Sequence, residues 1–133
     1  EYRIKVSNRQ TIDSETDTIE ETAYGNYTEK NGKQYITYKT ENNGDKISSM
    51  IKIDGNEILI KRTGSVNSSM TYKVDTKKEF LYHLPYGTVP MEIETQRIVS
   101  KLDENGGTIE LVYTLTVQDE KYFNDMKITV SKR

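Results

Sequence analysis

Four turn doublets constrain this chain more than any other feature. Asn31-Gly32, Asn43-Gly44, Asp54-Gly55 and Asn105-Gly106 are built from residues that tolerate positive φ, the backbone chemistry of tight hairpins. Between them the apolar residues alternate with polar ones. Tyr2, Ile4 and Val6 alternate with Arg3 and Lys5; Ile109, Leu111, Tyr113, Leu115 and Val117 form a longer series; Met126, Ile128 and Val130 repeat it. A period of two puts each series on one face of a strand. The pattern predicts roughly ten strands, over about 2–12, 17–29, 33–41, 46–54, 57–63, 68–75, 79–84, 88–103, 108–119 and 123–132, and no helical stripe longer than three turns. Strands with one apolar face each must close into a barrel or stack as a sandwich. Consecutive hairpins without long crossovers favour the barrel. The expected fold is therefore all-β: a single up-and-down antiparallel barrel of about 8–10 strands, calycin- or lipocalin-like, over residues 1–133 as one domain.

Composition narrows the function classes. The chain has 19 Lys plus Arg against 21 Asp plus Glu, for a net charge of −2, which argues against a nucleic-acid footprint. No apolar run approaches a membrane span of about 20 residues. With no cysteine there is no disulfide, thiolate nucleophile or thiolate metal site. Hydrophobic content is only 33%, yet ten tyrosines and abundant Ile, Val and Thr fit a thin apolar interior with a wet outer face better than they fit disorder. The acidic run Asp13-Ser14-Glu15-Thr16-Asp17, with Glu20 and Glu21, lacks the pattern of a calcium loop and reads as a solvated hairpin tip.

Arg62 breaks the apolar pattern. In Ile58-Leu59-Ile60-Lys61-Arg62 it shares a face with Ile58 and Ile60. An inward guanidinium must find an acceptor, because an unpaired buried charge costs several kcal/mol. Two readings follow: a bidentate grip on a bound carboxylate or phosphate, or an internal pair with Glu21 or hydrogen bonds to Tyr82 and Thr95. Structural pairing is the reading the residues favour. Beyond Arg62, the hydroxyl-rich stretch through Ser65, Ser68 and Ser69 serves either as a strand connection or as a loop at the barrel mouth.

A second segment runs from Phe80 to Thr95. Phe80, Tyr82 and Leu84 share one face; Pro85 and Gly87 turn the chain; Val89, Met91, Ile93 and Thr95 share the next inward face. His83, the only histidine, has the outward parity. A serine–histidine hydrolase built from it with Ser65, Ser68 or Ser69 lacks a nucleophile turn.

Arg62-x-Gly64, Met70, Tyr82-x-x-Pro85-Tyr86-Gly87, Met91 and Thr95 resemble, in this order, the YwiB-like family of small bacterial proteins, described as calycin-like β-barrels without established function. The likeness spans nearly the whole chain in strand rhythm and is most specific over 62–95. Tyr24 departs from the acidic residue that the family carries ahead of Gly25, so no role passes to that position. The resemblance implies a cytoplasmic bacterial protein and supplies no catalytic residues. Because the chain starts on Glu1 rather than Met, export stays open.

The resulting expectation is a non-enzymatic barrel that binds a small amphiphilic or anionic ligand. Arg62, Met70, Tyr72, Tyr82, Tyr86, Met91, Thr95 and Tyr113 would line its interior or mouth. No catalytic set, metal or cofactor is expected, nor a nucleic-acid or membrane partner; a homodimer is left open. The alternative is a protein–protein module using the outer surface, where Leu59, Leu81 and Val112 fall, or an edge strand.

Overall fold

The computed structural model describes the backbone of residues 1–133 and every side chain except that of Leu84. The Leu84 part of the shared-face expectation therefore lies outside the described residues. Ten strands form: β1 (Tyr2–Ile12), β2 (Glu15–Lys30), β3 (Lys33–Asn42), β4 (Asp45–Asp54), β5 (Glu57–Gly64), β6 (Ser68–Lys73), β7 (Lys77–Leu84), β8 (Gly87–Asp103), β9 (Gly106–Val117) and β10 (Glu120–Lys132). Asn31 and Gly32, and Asn43 and Gly44, all have positive φ, as the hairpin doublets require. The β9–β10 turn departs from the sequence pattern. Gln118 and Asp119 adopt φ of 50° and 69°, so β9 stops at Val117 and the turn needs no Gly or Asn.

All strands belong to one antiparallel sheet in the order β6-β5-β4-β3-β2-β1-β10-β9-β8-β7. The first and last strands pair along their length, from Tyr2 opposite Lys132 to Thr11 opposite Phe123. The sheet curls until β6 and β7 meet, giving a nearly closed up-and-down barrel. Two contacts hold the closure: His83 N–H of β7 donates to Asn67 O, just before β6, at 3.3 Å, and Asp75 N–H, just after β6, donates to Thr95 O of β8 at 3.0 Å. A second parting occurs between β2 and β3. Their ladder runs only from Lys30 opposite Lys33 to Gly25 opposite Tyr38, although β2 continues along β1 to Glu15 and β3 continues along β4 to Asn42.

The end carrying the β2–β3 turn is called lower here, and the end carrying the β1–β2 turn upper. The lower half of the interior is aliphatic. Ile4, Ile36, Ile51, Ile58, Ile109 and Ile128 are essentially fully buried, each contributing about 1.5–3 kcal/mol of burial. Gly25 is required where β2 crosses β3: a Cβ there would lie 2.0 Å from Thr37 O and 2.9 Å from both Ile4 Cδ1 and Tyr38 Cβ.

Candidate functional site: a polar layer in the upper barrel

Directly paired residues on neighbouring strands share a face, so the register assembles the upper interior strand by strand. On one wall, Arg62 of β5 lies opposite Ser49 of β4 and Ser68 of β6, and Ser49 lies opposite Tyr38 of β3. The row Ser68–Arg62–Ser49–Tyr38 thus crosses four strands. On the other wall, Thr95 of β8 lies opposite Tyr113 of β9, Tyr113 opposite Asn124 of β10, and Asn124 opposite Gln10 of β1. The same strands that run apolar below become polar at these positions. On β1 the inward series Ile4, Val6 gives way to Asn8 and Gln10; on β5, Ile58 and Ile60 give way to Arg62.

Buried polar groups normally find hydrogen-bond partners, and five atoms here do not: Asn8 Oδ1, Tyr38 OH, Ser49 Oγ, Ser68 Oγ and Thr95 Oγ1. All five belong to inward residues of this layer. Three of them flank Arg62 in its own row. Arg62 is half-buried and forms no ion pair among the described residues. The same holds for Glu21, which is half-buried on the inward face of β2. The internal Arg62–Glu21 pair expected from sequence is not formed, and Thr95 does not satisfy Arg62. Two strands, β3 and β4, separate β2 from β5, and each charge instead acts on the phenol between them.

That phenol is Tyr38. Burial pushes its pKa above the ordinary value, Glu21 adds to the rise, and Arg62 pulls it back. Ser49 and Glu21 are its polar neighbours, but neither completes a hydrogen bond with it. Burial also pushes the pKa of Tyr72 well above its ordinary value, and that of Tyr113 upward, with Arg62 opposing both rises. These phenols therefore remain protonated donors at neutral pH. The Tyr72 and Tyr113 rings meet edge to face, with centroids 4.8 Å apart, and the Tyr72 hydroxyl reaches Met70 Sδ at 3.7 Å. Together they form the floor under the polar layer.

The amides of the opposite wall are oriented by a short relay. Asn124 Nδ2 donates to Tyr122 O at 2.9 Å, which leaves Asn124 Oδ1 to accept from Asn8 Nδ2 at 3.1 Å and Gln10 Nε2 at 2.9 Å. Asn8 has spent its donor group on that contact, so its unpartnered oxygen is fixed by the network.

The expected site residues divide by position. Met70, Tyr72, Thr95 and Tyr113 are buried within the barrel. Arg62 is half-buried in the layer, and Tyr82 and Met91 are half-buried on the β7–β8 hairpin. Tyr86 does not belong with them. It occupies the turn of that hairpin, beyond the last ladder contact, and is 86% exposed. His83 faces outward and contacts Thr88 Oγ1 at 3.2 Å, whereas Ser68 faces inward and Ser65 and Ser69 are exposed, so no serine–histidine arrangement forms. Asn8, Gln10, Tyr38, Ser49 and Asn124 were not singled out from sequence, although the parity argument that isolated Arg62 applies equally to Asn8 after Val6 and to Ser49 before Ile51.

Where β2 parts from β3, a cleft of about 740 Å³ opens through the wall. It is lined by Glu21, Ala23, Thr40 and Ile47, which have inward parity, and by Lys39, Glu41 and Asp45 at the rim. Glu21 is the inward charge that it exposes along its lining. A separate groove of about 490 Å³ lies against the outside of β2–β5, lined largely by outward residues such as Lys39, Ser48 and Lys61.

An antiparallel ten-stranded barrel with an aliphatic lower core and a layer of buried polar side chains above it defines the class: a small β-barrel protein. Residues 4–130 match the family model described as Domain of unknown function (DUF1934), and the chain belongs to that family. It is similar to the uncharacterized β-barrel protein YwiB of Bacillus subtilis, with 29% identity over 118 residues, covering 88% of this chain and 83% of the relative. The crystal structure of ywiB protein from Bacillus subtilis superposes with a TM-score of 0.92 at 25% identity, covering 99% of this chain and 91% of that one.

Proposed function

We propose that the protein is a non-enzymatic binder of a small ligand, which it holds in the upper barrel by an anionic group placed on Arg62. One observation carries this reading: an inward guanidinium without a counter-ion shares a row with three buried hydroxyls that lack partners. A carboxylate would take two parallel N–H bonds from Arg62 and further bonds from Ser49, Ser68 and Tyr38. The aliphatic and aromatic surface below, from Met70, Tyr72 and Tyr113, would receive the apolar remainder, which is the usual division of labour in a small-molecule pocket. The β2–β3 cleft supplies a route in.

The outside of the barrel supports the same assignment. The outward positions of β1 are Arg3, Lys5, Ser7 and Arg9, where a membrane-spanning barrel would carry an apolar band. A second reading, an interaction module on the outer surface, draws on Leu81, which is 53% exposed beside Pro90. It has less support because the other outward candidates, Leu59 and Val112, are half-covered by their neighbours.

Native mass spectrometry of freshly purified protein tests the first reading. A bound mass that is retained by wild type and lost in Arg62→Met is expected. A bare wild-type mass, together with no heat on titration with aliphatic carboxylates, overturns it.

A further inference from the structure

The polar layer is bipolar. Its unpartnered donors gather around Arg62 on β3–β6: the hydroxyls of Tyr38, Ser49 and Ser68. Its unpartnered acceptors gather on β1 and β2. Asn8 Oδ1 is turned inward by the Asn124 relay. Glu21 lies on the adjacent strand and the same face, opposite Val6, which is the inward residue next to Asn8. Glu21 also lines the cleft, whose rim carries Glu41 and Asp45. Resting on the interior-binding reading above, we propose that the ligand is a small zwitterion, an amino-carboxylate. Its carboxylate sits on Arg62, and its ammonium sits on Glu21 and Asn8 Oδ1.

Charge balance selects this class over a plain anion. Arg62 and Glu21 together are neutral. A monoanion would neutralise Arg62 and leave Glu21 as an uncompensated half-buried charge, and a phosphate dianion would leave a larger imbalance. Each is costly in a partly dehydrated site. An ammonium group on the same molecule removes that cost. Its three N–H bonds match a carboxylate and an amide oxygen, both pure acceptors. Tyr38 lies between the two charges and feels both, so the carboxylate and ammonium must be set apart by a short chain that passes over its ring.

The test is isothermal titration of the full chain with two matched series: ω-amino acids from glycine to 8-aminooctanoate, and the corresponding unsubstituted carboxylates. Wild type, Glu21→Gln and Arg62→Met are compared after circular dichroism confirms the strand signature of each. At least one ω-amino acid is expected to bind wild type tenfold or more tightly than its matched carboxylate. Glu21→Gln should abolish that preference by weakening the ω-amino acid and leaving the carboxylate bound at least as tightly as by wild type, and Arg62→Met should abolish binding of both. Carboxylates that bind wild type as well as their amino partners, with no effect of Glu21→Gln, overturn the zwitterion and leave the anion site standing. Neither series binding wild type overturns both readings.

Discussion

The two halves of this barrel share ten strands and differ in almost everything else. Below, six isoleucines from six strands are sealed from solvent and β2 stays paired with β3. Above, inward positions carry amides, hydroxyls and two unpaired charges, and the wall parts between β2 and β3 and is only bridged between β6 and β7. The difference separates stability from chemistry. Aliphatic burial in the lower half holds the chain together, and so the upper half can carry unsatisfied groups that a domain of marginal stability could not otherwise tolerate.

Substitutions in the two halves should therefore have unlike effects. The largest effect is expected from Ile58→Ala in the lower core, a loss of about 2–5 kcal/mol in urea unfolding; a loss no greater than that of an upper-layer variant would erase the distinction. Gly25→Ala, at the boundary where β2 meets β3, should cost about 1–3 kcal/mol through overpacking, because the added carbon meets backbone and buried side chains. Thr95→Val should go the other way. Removing a buried hydroxyl without a partner is expected to stabilise the free protein by up to about 1 kcal/mol. Destabilisation instead would mean that the hydroxyl is satisfied in solution. The smallest effect under ordinary conditions is the pH response of the buried phenols. The pKa values of Tyr38, Tyr72 and Tyr113 are raised in the folded state, so that state holds their protons more tightly. Their contribution is constant at neutral pH and is lost as pH rises past the ordinary phenol value of about 10. Urea midpoints measured from pH 8 to 11 should stay level and then fall, with a shallower fall in Tyr38→Phe.

The fold was legible because its signals are local. Asn31-Gly32 and Asn43-Gly44 announce their own backbone, and alternation announces each face. The Gln118-Asp119 turn was not legible, since neither residue demands positive φ and the pairing of β9 with β10 imposes it. The site was half legible. Parity placed Arg62 inward correctly, but its partnership with Glu21 depended on how far apart β2 and β5 stand around the barrel, which no single strand encodes. Asn8 and Asn124 gain meaning only when the β1–β10 ladder sets them side by side. Tyr86 misled for the opposite reason: it stands among inward residues in sequence, but the hairpin turn lifts it into solvent.

The order of strands in the sheet is the order in the chain, cut and rejoined at one place. β1 and β10 are neighbours, and Glu1 and Arg133 touch through backbone and side chain. Every other ladder joins consecutive strands, and this joint alone pairs strands as far apart in sequence as β1 and β10. Closing so long a loop carries an entropic cost that grows with loop length, and topologies dominated by distant pairings fold slowly. Folding therefore includes one strongly non-local step, the β1–β10 pairing. A circular permutant with its ends linked and a new opening at residues 74–76 would replace that step with hairpins throughout, reaching the same barrel by a faster route.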